Sequence, residues 1–338
     1  YPNEELPAAR PFRTTPMYDI YDQLGAVFGQ QFGLEVVNFF AHGDESRYET
    51  PSFRRSNAFA AAAREVKAVR ESVGINEVQN FGKFAVTGAA AREWLDWIMA
   101  GRIPEEGRMS LTPMLSPKGR LIGDFTVSCL AEDEFQLTSS YGYQAVHERW
   151  LRQNLPDGVG LENISDKRTG FQIAGPLARH VLSEVTGADV SAEAFRFLDV
   201  KRMVVGMCDC IVQRVSYTGD LGFEIYTDAA SQRALWHALW AQGKPHGMRP
   251  FGMRAMMSLR LDKFFGSWLN EYSPDYTAGE TGMDRFIVFG KKSNFIGRQV
   301  AETERAKGAR RKPVVFEVDA LDADVIAYEP VWINGAVR

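Results

Sequence analysis

Two acids and two glycines interrupt a stretch that is otherwise rich in aromatic and β-branched residues. The stretch covers residues 216–226 and reads SYTGDLGFEIY. Its glycines permit a tight turn, in which Asp220 is expected to be a solvated turn residue. Glu224 instead falls inside the outgoing strand. If Phe223 and Ile225 pack on one side of that strand, the Glu224 carboxylate points to the other side.

The chemistry open to Glu224 depends on what its side of the strand faces. Gly222 and Tyr226 share that side, because side chains alternate along a strand. A carboxylate lining a cavity would offer two oxygens to the paired N–H and NH₂ donors of an aminopyrimidine-like ring. A solvated strand carboxylate fits the same local pattern, so the stretch alone leaves both interpretations open.

Asp124 is a second acid placed where it could do chemistry. It lies in the segment RLIGDFTVS, at residues 120–128, directly after Gly123. An acid among apolar strand neighbours is either solvated at a sheet edge or lines a cavity. Only in a cavity would burial raise its pKa into a range useful for proton transfer.

Arg254 and Arg260 lie six residues apart in the segment MRAMMSLRLDKFF. On a helix six residues turn through about 600°, so the two side chains point roughly 120° apart and share no narrow face. One arginine could bind a ligand carboxylate through two hydrogen bonds while the other supports the structure. A surface position is the alternative for either.

The sequence offers no metal site and no familiar nucleotide or hydrolase motif. Its five histidines show no metal-ligand spacing, and His180 and His237 lie on predicted helices as structural or solvated residues. Cys208 and Cys210 share one strand face without the geometry of a disulfide, and with Cys129 they indicate reduced thiols. The dinucleotide-binding G-x-G-x-x-G after a strand is absent, which argues against a flavin or nicotinamide bound in that way.

Helices and strands that would position these residues are interspersed without a regular β-α-β alternation. This order predicts an α+β fold rather than a doubly wound parallel sheet. Residues 17–52 show no clear period. Helices are predicted over 58–73, 89–101, 143–154, 177–187, 228–243 and 253–265, and a turn that runs into a charged helix is predicted over 294–308. Strands are predicted over 81–88, 109–115, 120–130, 135–140, 170–176, 208–219 and 223–228, with a further β region starting at 313–318.

Length and charge limit the classes of function. The chain has 338 residues, enough for two or three domains, and a net charge of −4. That charge gives no basic surface for nucleic acid or an anionic membrane, and the apolar runs are too short to span a bilayer. No signal or transit peptide is recognisable, so we expect a cytoplasmic protein, or a mitochondrial matrix protein in a eukaryote. The first residue is Tyr and the last segment, VWINGAVR, is strand-like, so we expect a piece of a longer protein.

Several long segments, taken in order, resemble the glycine-cleavage T-protein (aminomethyltransferase) family. Within it they are most similar to the folate-binding half of dimethylglycine and sarcosine dehydrogenases. The segments are PSFRRSN, VGINEVQNFGKFAVTG, FQIAGP, SYTGDLGFEIY, MRAMMSLRLDK, WLNEYSPDYTAGETGMDRFI and NFIGRQV.

The resemblance implies a fold and a domain organisation. It implies two interleaved α+β subdomains around a central cavity, which together form a folate-binding aminomethyltransferase-like module over residues 1–309. Residues 310–338 would then begin a truncated C-terminal β-barrel domain.

The resemblance also implies an activity. It implies tetrahydrofolate-dependent transfer of a one-carbon unit from an iminium derived from an N-methyl amine, forming 5,10-methylenetetrahydrofolate. FAD would belong only to an upstream domain outside this chain, covalently linked or separate. The alternatives are a stand-alone folate-dependent demethylase or aminomethyltransferase, and a non-catalytic folate-binding module.

Roles for individual residues follow from matching positions in the family. The resemblance implies that Glu224 grips the pterin and that Tyr217 lines the pocket. It places Arg254 at a folate-side contact with Arg260 as its support. Asp124 would be the acid near the folate nitrogen.

The chain departs from the family pattern at three places, one of which is Leu111 at an aromatic position before the turn SPKG. Gly123 stands where the family has the first of two adjacent aspartates, and Glu77-Val78-Gln79-Asn80-Phe81 replaces the segment D-V-S-H-M. Either Asp124 takes over the role of the lost acid, or the site binds folate without that acid.

Overall fold

Most strands belong to two sheets that are antiparallel except for one parallel pair, Gly74–Glu77 with Arg249–Pro250, and the strands of the two sheets come from alternating parts of the chain. In this computed structural model, residues 5, 7–325 and 329–337 are described. The strands are β1 (Ala26–Gln31), β2 (Leu34–Phe40), β3 (Gly74–Glu77), β4 (Phe81–Thr87), β5 (Met109–Leu115), β6 (Leu121–Ala131), β7 (Glu134–Ser140), β8 (Gly160–Asn163), β9 (Arg168–Ala174), β10 (Val200–Val205), β11 (Cys208–Gln213), β12 (Gly222–Asp228), β13 (Arg249–Pro250), β14 (Trp332–Ile333) and β15 (Ala336–Val337).

The helices form where apolar residues recur every three or four positions. On the alanine-rich helix α2, for example, Ala58, Ala61 and Val69 are buried on one face, and Glu65 is buried with them. The helices are α1 (Tyr18–Gln23), α2 (Ala58–Glu71), α3 (Ala91–Ile98), α4 (Gln144–Gln153), α5 (Ala178–Thr186), α6 (Gln232–Gly243), α7 (Met253–Leu261), α8 (Ala278–Thr281) and α9 (Arg298–Lys307).

The two main sheets are interleaved in the chain. The larger has six strands in the order β10-β11-β12-β9-β3-β13, and the smaller has five in the order β5-β6-β7-β4-β8. The chain enters the larger sheet at β3, builds the whole smaller sheet, and returns to the larger one at β9. The predicted α+β class is therefore confirmed.

Each sheet is covered on one face by helices. Phe223 and Ile225 of β12 pack with Trp236 and Leu239 of α6 in the core of the larger sheet. In the smaller sheet, α3 and α4 pack on Phe125, Val127 and their neighbours. The other faces of the two sheets meet, since Gln213 Nε2 of β11 donates to Ser128 Oγ of β6 at 3.0 Å. Cys129, Cys208 and Cys210 are buried and free, as the sequence indicated.

Most predicted elements are present, with several differences. The hairpin β1–β2, the edge strand β10 and the short helix α8 lie where no element was predicted. Helix α7 ends at Leu261 rather than at residue 265, because the chain turns back on itself and Phe264 takes a left-handed φ of 57°. Of the further β region predicted near the end of the chain, the strand at 313–318 is wrong: this segment pairs with no strand of the described chain, and Val314 and Phe316 are exposed. The strand-like stretch VWINGAVR does form a hairpin, β14–β15.

No helix of the described chain is long and apolar enough to cross a membrane.

Candidate functional site

Strand β12 presents Glu224 to the space between the two sheets. Phe223 and Ile225 belong to the core under the helices, so alternation turns Glu224 and Tyr226 the other way. This confirms the orientation predicted from the sequence. Gly170, opposite Tyr226 on β9, allows the close approach of the two strands: a Cβ there would lie 1.9 Å from the Ile225 carbonyl oxygen.

The turn before β12 is tight, but its acid is not solvated. Gly219 has a φ of 75°, which suits a residue without Cβ. The Asp220 side chain is only 16% exposed and forms an ion pair with Arg70 of α2 at 2.8 Å. The expectation of a solvated Asp220 is wrong because α2 packs alongside this turn and brings a cation to it.

Glu224 is buried, and burial favours the protonated form of its carboxyl group. It is 8% exposed, and Tyr226 donates its hydroxyl to Glu224 Oε2 at 2.6 Å. Burial raises the pKa of Glu224 to about 7, against the opposing effects of that hydrogen bond and of the Lys83 charge. Near neutral pH a small change in the surroundings therefore changes the charge of this group.

Glu224 belongs to a row of polar side chains that crosses four strands of the larger sheet. Directly paired residues of neighbouring strands share a face. Gln213 pairs with Glu224, Glu224 with Gln172, and Gln172 with Asn76. All four are buried, so the sheet carries a continuous polar stripe in its interior.

A second polar row faces this stripe from the smaller sheet. Thr126 pairs with Thr138, and Thr138 pairs with Lys83. Lys83 is fully buried, and its Nζ donates to the Phe81 carbonyl oxygen at 2.9 Å. Burial lowers the pKa of Lys83 to about 7, while the charges of Glu77, Asp166 and Glu224 act in the opposite direction.

Asp124 lies on the same face of β6 as Thr126, two residues along the strand. Its Oδ1 accepts a hydrogen bond from Trp268 Nε1. Burial raises the pKa of Asp124 to about 6, and the hydrogen bond from Trp268 partly offsets this rise. Burial raises the pKa of Tyr217 and of Tyr272, and the Asp124 charge acts in the same direction on both.

Tyr217 and Arg260 both bind the loop that follows α7. Tyr217 donates its hydroxyl to the Gly266 carbonyl oxygen at 2.7 Å, and burial raises its pKa. Arg260 is 5% exposed and forms an ion pair with Glu271 at 2.8 Å. It also donates to the Phe265 carbonyl oxygen at 2.8 Å, so it fixes the loop that follows α7.

Arg254 lies apart from Arg260, as their spacing on the helix requires. It is exposed at the start of α7 and forms an ion pair with Glu49 at 2.9 Å. The same Glu49 oxygen accepts a hydrogen bond from Asn38 at 3.3 Å. Arg254 is thus held at the outer surface by an acidic partner.

Gly123 faces away from Asp124, into the core of the smaller sheet. A Cβ at this position would lie 2.5 Å from Phe125 Cε2 and 2.8 Å from His147 Nε2. His147 is fully buried, and burial lowers its pKa to about 4, so a neutral ring fills this space. An acid at position 123 would require these side chains to move, which leaves Asp124 as the acid of this strand that faces the other sheet.

The segment 77–81, which departs from the family pattern, borders a cleft at the end of β3. Glu77 accepts hydrogen bonds from Gln232 at 2.5 Å and from Thr15 at 3.1 Å, and burial raises its pKa to about 7. Asn80 donates to the Met253 sulfur at 3.3 Å. The cleft is lined in part by Thr15, Asn76, Glu77, Gln79, Asn80 and Met253.

Sequence reasoning missed Lys83, Gln172, Tyr226 and Trp268. A signal existed for the first two, because a lysine in FGKFAVTG and a glutamine in FQIAGP interrupt strands that are otherwise apolar. Trp268 gave no local signal. It reaches Asp124 across 144 residues of sequence, from a loop without regular structure.

The fold and the buried polar faces define a class: α+β proteins with two interleaved sheets that enclose a polar interior. A crystal structure with this fold is that of the glycine cleavage system aminomethyltransferase T from Bartonella henselae. It matches with a TM-score of 0.75 over 88% of this chain and 76% of that one, at 21% sequence identity. At this identity the match establishes the fold alone.

The chain belongs to the family of the GCVT N-terminal domain, whose family model matches residues 17–291. The resemblance recognised in the sequence is thereby confirmed. Mitochondrial dimethylglycine dehydrogenase of Homo sapiens is 35% identical over 343 residues, which cover 100% of this chain and 39% of that protein. Aminomethyltransferase of Clostridium botulinum (strain Loch Maree / Type A3) is 29% identical over 310 residues, covering 90% of this chain and 78% of that protein. The chain therefore spans about two fifths of the length of the dimethylglycine dehydrogenase it matches.

Proposed function

We propose that this chain transfers a one-carbon unit to tetrahydrofolate from an iminium derived from an N-methyl amine, as part of an enzyme of the dimethylglycine or sarcosine dehydrogenase type. The observation that carries the proposal is the buried Glu224, which faces the smaller sheet from the middle of a polar row. Family membership and the similarity to dimethylglycine dehydrogenase support it.

The polar interior suits a ring that carries several hydrogen-bond donors. The buried side-chain amide oxygens of Gln79, Gln136 and Gln213 have no hydrogen-bond partner among the described residues. Unpaired buried acceptors cost free energy, so a ligand that brings N–H donors between the sheets would recover that cost. A folate pterin is such a ligand.

Two carboxylates would have separate roles. Glu224 would accept the paired donors of the ring, and Tyr226 holds its carboxylate in place. Asp124, with a pKa of about 6, can hold or release a proton at the reacting amine near neutral pH. Tyr217 would line the pocket beside Asp124, while Arg260 would hold the loop after α7.

Arg254 would contact the solvent-facing part of folate. Its exposed position at the start of α7 suits the glutamate carboxylates of that ligand. Such a contact would compete with the ion pair to Glu49. Because that pair is partly solvated, exchanging it costs little.

When bound, tetrahydrofolate supplies the amine nitrogens that accept the one-carbon unit, and 5,10-methylenetetrahydrofolate is the product. The contribution of this chain is mainly to hold the ligand, exclude water and place a proton donor or acceptor at Asp124. We assign residues 1–309 to this module and residues 310–338 to the start of a further domain. The flavin that oxidises the amine would belong to a part of the enzyme outside this chain.

Folate titration of the wild type and Glu224→Gln tests the binding assignment. Loss of a charge-assisted pair of hydrogen bonds should weaken binding roughly 10- to 100-fold. Asp228→Asn, at the exposed end of the same strand, is the matched control and should bind like the wild type. Equal affinity of Glu224→Gln and the wild type would remove the pterin assignment.

The catalytic assignment is tested separately with Asp124→Asn. Formation of 5,10-methylenetetrahydrofolate is measured with an iminium generated in the assay by a flavin-containing amine dehydrogenase. Turnover should fall about 100-fold or more, with folate affinity nearly unchanged. Asp133→Asn, in the exposed turn after β6, is the control. Binding without turnover in the wild type would favour a non-catalytic folate-binding module.

A further inference from the structure

Three side chains that commonly bind metals meet on the outer surface of the larger sheet. His180 and Glu184 lie one turn apart on the same face of α5. His246 ends the short 3₁₀ turn Lys244–His246 that follows α6. Helix α5 covers the face of the sheet opposite to Glu224, so this cluster is separate from the proposed folate site.

The ligand atoms are already close to the spacing of a metal site. His180 Nε2 lies 3.2 Å from Glu184 Oε1, and His246 Nε2 lies 3.0 Å from Glu184 Oε2. One ligand atom from each of the three side chains falls within 4.8 Å of the others. A tetrahedral ion with bonds of about 2.0–2.2 Å keeps its ligand atoms roughly 3.4 Å apart. The two nitrogen–oxygen contacts would therefore widen slightly, and the widest of the three separations would close by up to about 1.4 Å.

The backbone that carries these three side chains is fixed by contacts within the chain. The Ser72 hydroxyl donates a hydrogen bond to the His246 carbonyl oxygen, and Gly247 then turns with a left-handed φ of 76°. On α5, the neighbouring Val181 and Leu182 are fully buried and fix the rotation of the helix. Since the backbone positions are set, binding would cost little conformational entropy.

We propose that His180, Glu184 and His246 form a binding site for a divalent transition metal, with Zn²⁺ as the best fit. Two imidazoles and one carboxylate suit Zn²⁺ and its neighbours, whereas Mg²⁺ and Ca²⁺ prefer oxygen ligands. The three side chains are 53%, 34% and 28% exposed, which leaves the ion open to a water molecule as a fourth ligand. The ion would join α5 to the turn that precedes β13.

Calorimetric titration of the tag-free chain with Zn²⁺ tests this site. The expected result is one ion per chain, with binding at least about tenfold weaker in His180→Gln and in His246→Gln, since even indirect ligand support is worth that much. His237→Gln, which removes an exposed histidine of α6, is the matched control and should bind like the wild type. Co²⁺ in place of Zn²⁺ should give the visible absorption of a tetrahedral ion, and His246→Gln should lose it.

Thermal unfolding gives a second measurement. Zn²⁺ binds only when α5 and the turn are in place, so it should raise the melting temperature of the wild type but not of Glu184→Gln. Two outcomes would overturn the proposal: no Zn²⁺ binding by the wild type, or unchanged Zn²⁺ affinity in the His180→Gln, His246→Gln double variant. Without Zn²⁺ binding, Glu184 simply forms ion pairs with the two histidines. Unchanged affinity in the double variant would mean that the ion binds elsewhere.

Discussion

Glu224 and Asp124 both lie on strands and both have raised pKa values, but different neighbours tune them. Glu224 accepts a hydrogen bond from a tyrosine hydroxyl, and the charge of Lys83 partly offsets the effect of burial on its pKa. Asp124 accepts a hydrogen bond from an indole N–H, and its charge adds to the effect of burial in raising the pKa of two tyrosines. The first arrangement suits a group that becomes fully charged when a ligand brings donors, and the second suits a group that exchanges a proton near neutral pH.

Folate binding should depend on pH through Glu224. The carboxylate form accepts the two donors of the ring, so protonation of Glu224 competes with the ligand. With a pKa of about 7 in the free chain, affinity should be constant above that pH and fall about tenfold per pH unit below it. Titrations between pH 5.5 and 8.5 measure this. In Glu224→Gln the slope should vanish, and a wild-type affinity that stays flat across the range would contradict the assignment.

Trp268→Phe should shift the pH profile of turnover. The indole N–H stabilises the charged form of Asp124, so its removal raises the pKa of Asp124 above about 6. If the carboxylate is the active form, the acidic limb of the rate profile moves to higher pH. Trp97→Phe, which changes an exposed indole, is the control and should leave the profile unchanged. An unshifted profile in Trp268→Phe would mean that Asp124 does not set the limb.

At the scale of elements, single side chains join parts that are distant in sequence. Glu65 of α2 is 5% exposed and accepts two backbone hydrogen bonds, from Phe40 N at 2.7 Å and from Gly252 N at 2.8 Å. It therefore fixes the end of β2 and the start of α7 to one helix. Helix α7 in turn carries Arg260 on its buried side and Arg254 at the outer surface.

Glu65→Ala should destabilise the chain by about 2–4 kcal/mol, because it leaves two buried N–H groups without partners. Urea unfolding measures the change as a lower midpoint with the same slope. Glu71→Ala is the matched control, since Glu71 lies on the same helix and forms an exposed ion pair with Lys67. The control should change stability by less than about 0.5 kcal/mol. A similar loss of unfolding free energy in both variants would show that any change on α2 is destabilising, and that the buried carboxylate of Glu65 has no special role.

Elements with a clear period could be predicted from the sequence, and those without one could not. The meander β5–β7 and helices α2 and α3 carry regular apolar patterns. The hairpin β1–β2 was missed because Phe32 and Gly33 form its turn, both with positive φ, instead of the usual Asn-Gly signal. The orientation of Glu224 followed from alternation, whereas Lys83 and Trp268 meet the two acids through contacts that only the tertiary fold creates.

For the whole molecule, the interleaved topology explains why a polar interior is tolerated. The smaller sheet is inserted between β3 and β9 of the larger one, so both polar faces are held together by the chain path as well as by contacts such as that of Gln213 with Ser128. Each sheet has its own apolar core under helices. Because these cores stabilise the fold, the space between the sheets can hold buried polar groups that are available to a ligand.

A ligand bound between the sheets should stabilise both at once. Tetrahydrofolate at about 100 times its Kd should add about 2.7 kcal/mol to the free energy of unfolding. Amide hydrogen exchange should slow in β12 and in β6 together, because the proposed contacts at Glu224 and Asp124 lie on different sheets. In Glu224→Gln at the same ligand concentration, both effects should shrink, while Asp228→Asn should behave like the wild type. If slower amide hydrogen exchange is confined to the larger sheet, folate binds away from Asp124. That outcome would contradict the catalytic role proposed for Asp124 but not the binding role proposed for Glu224.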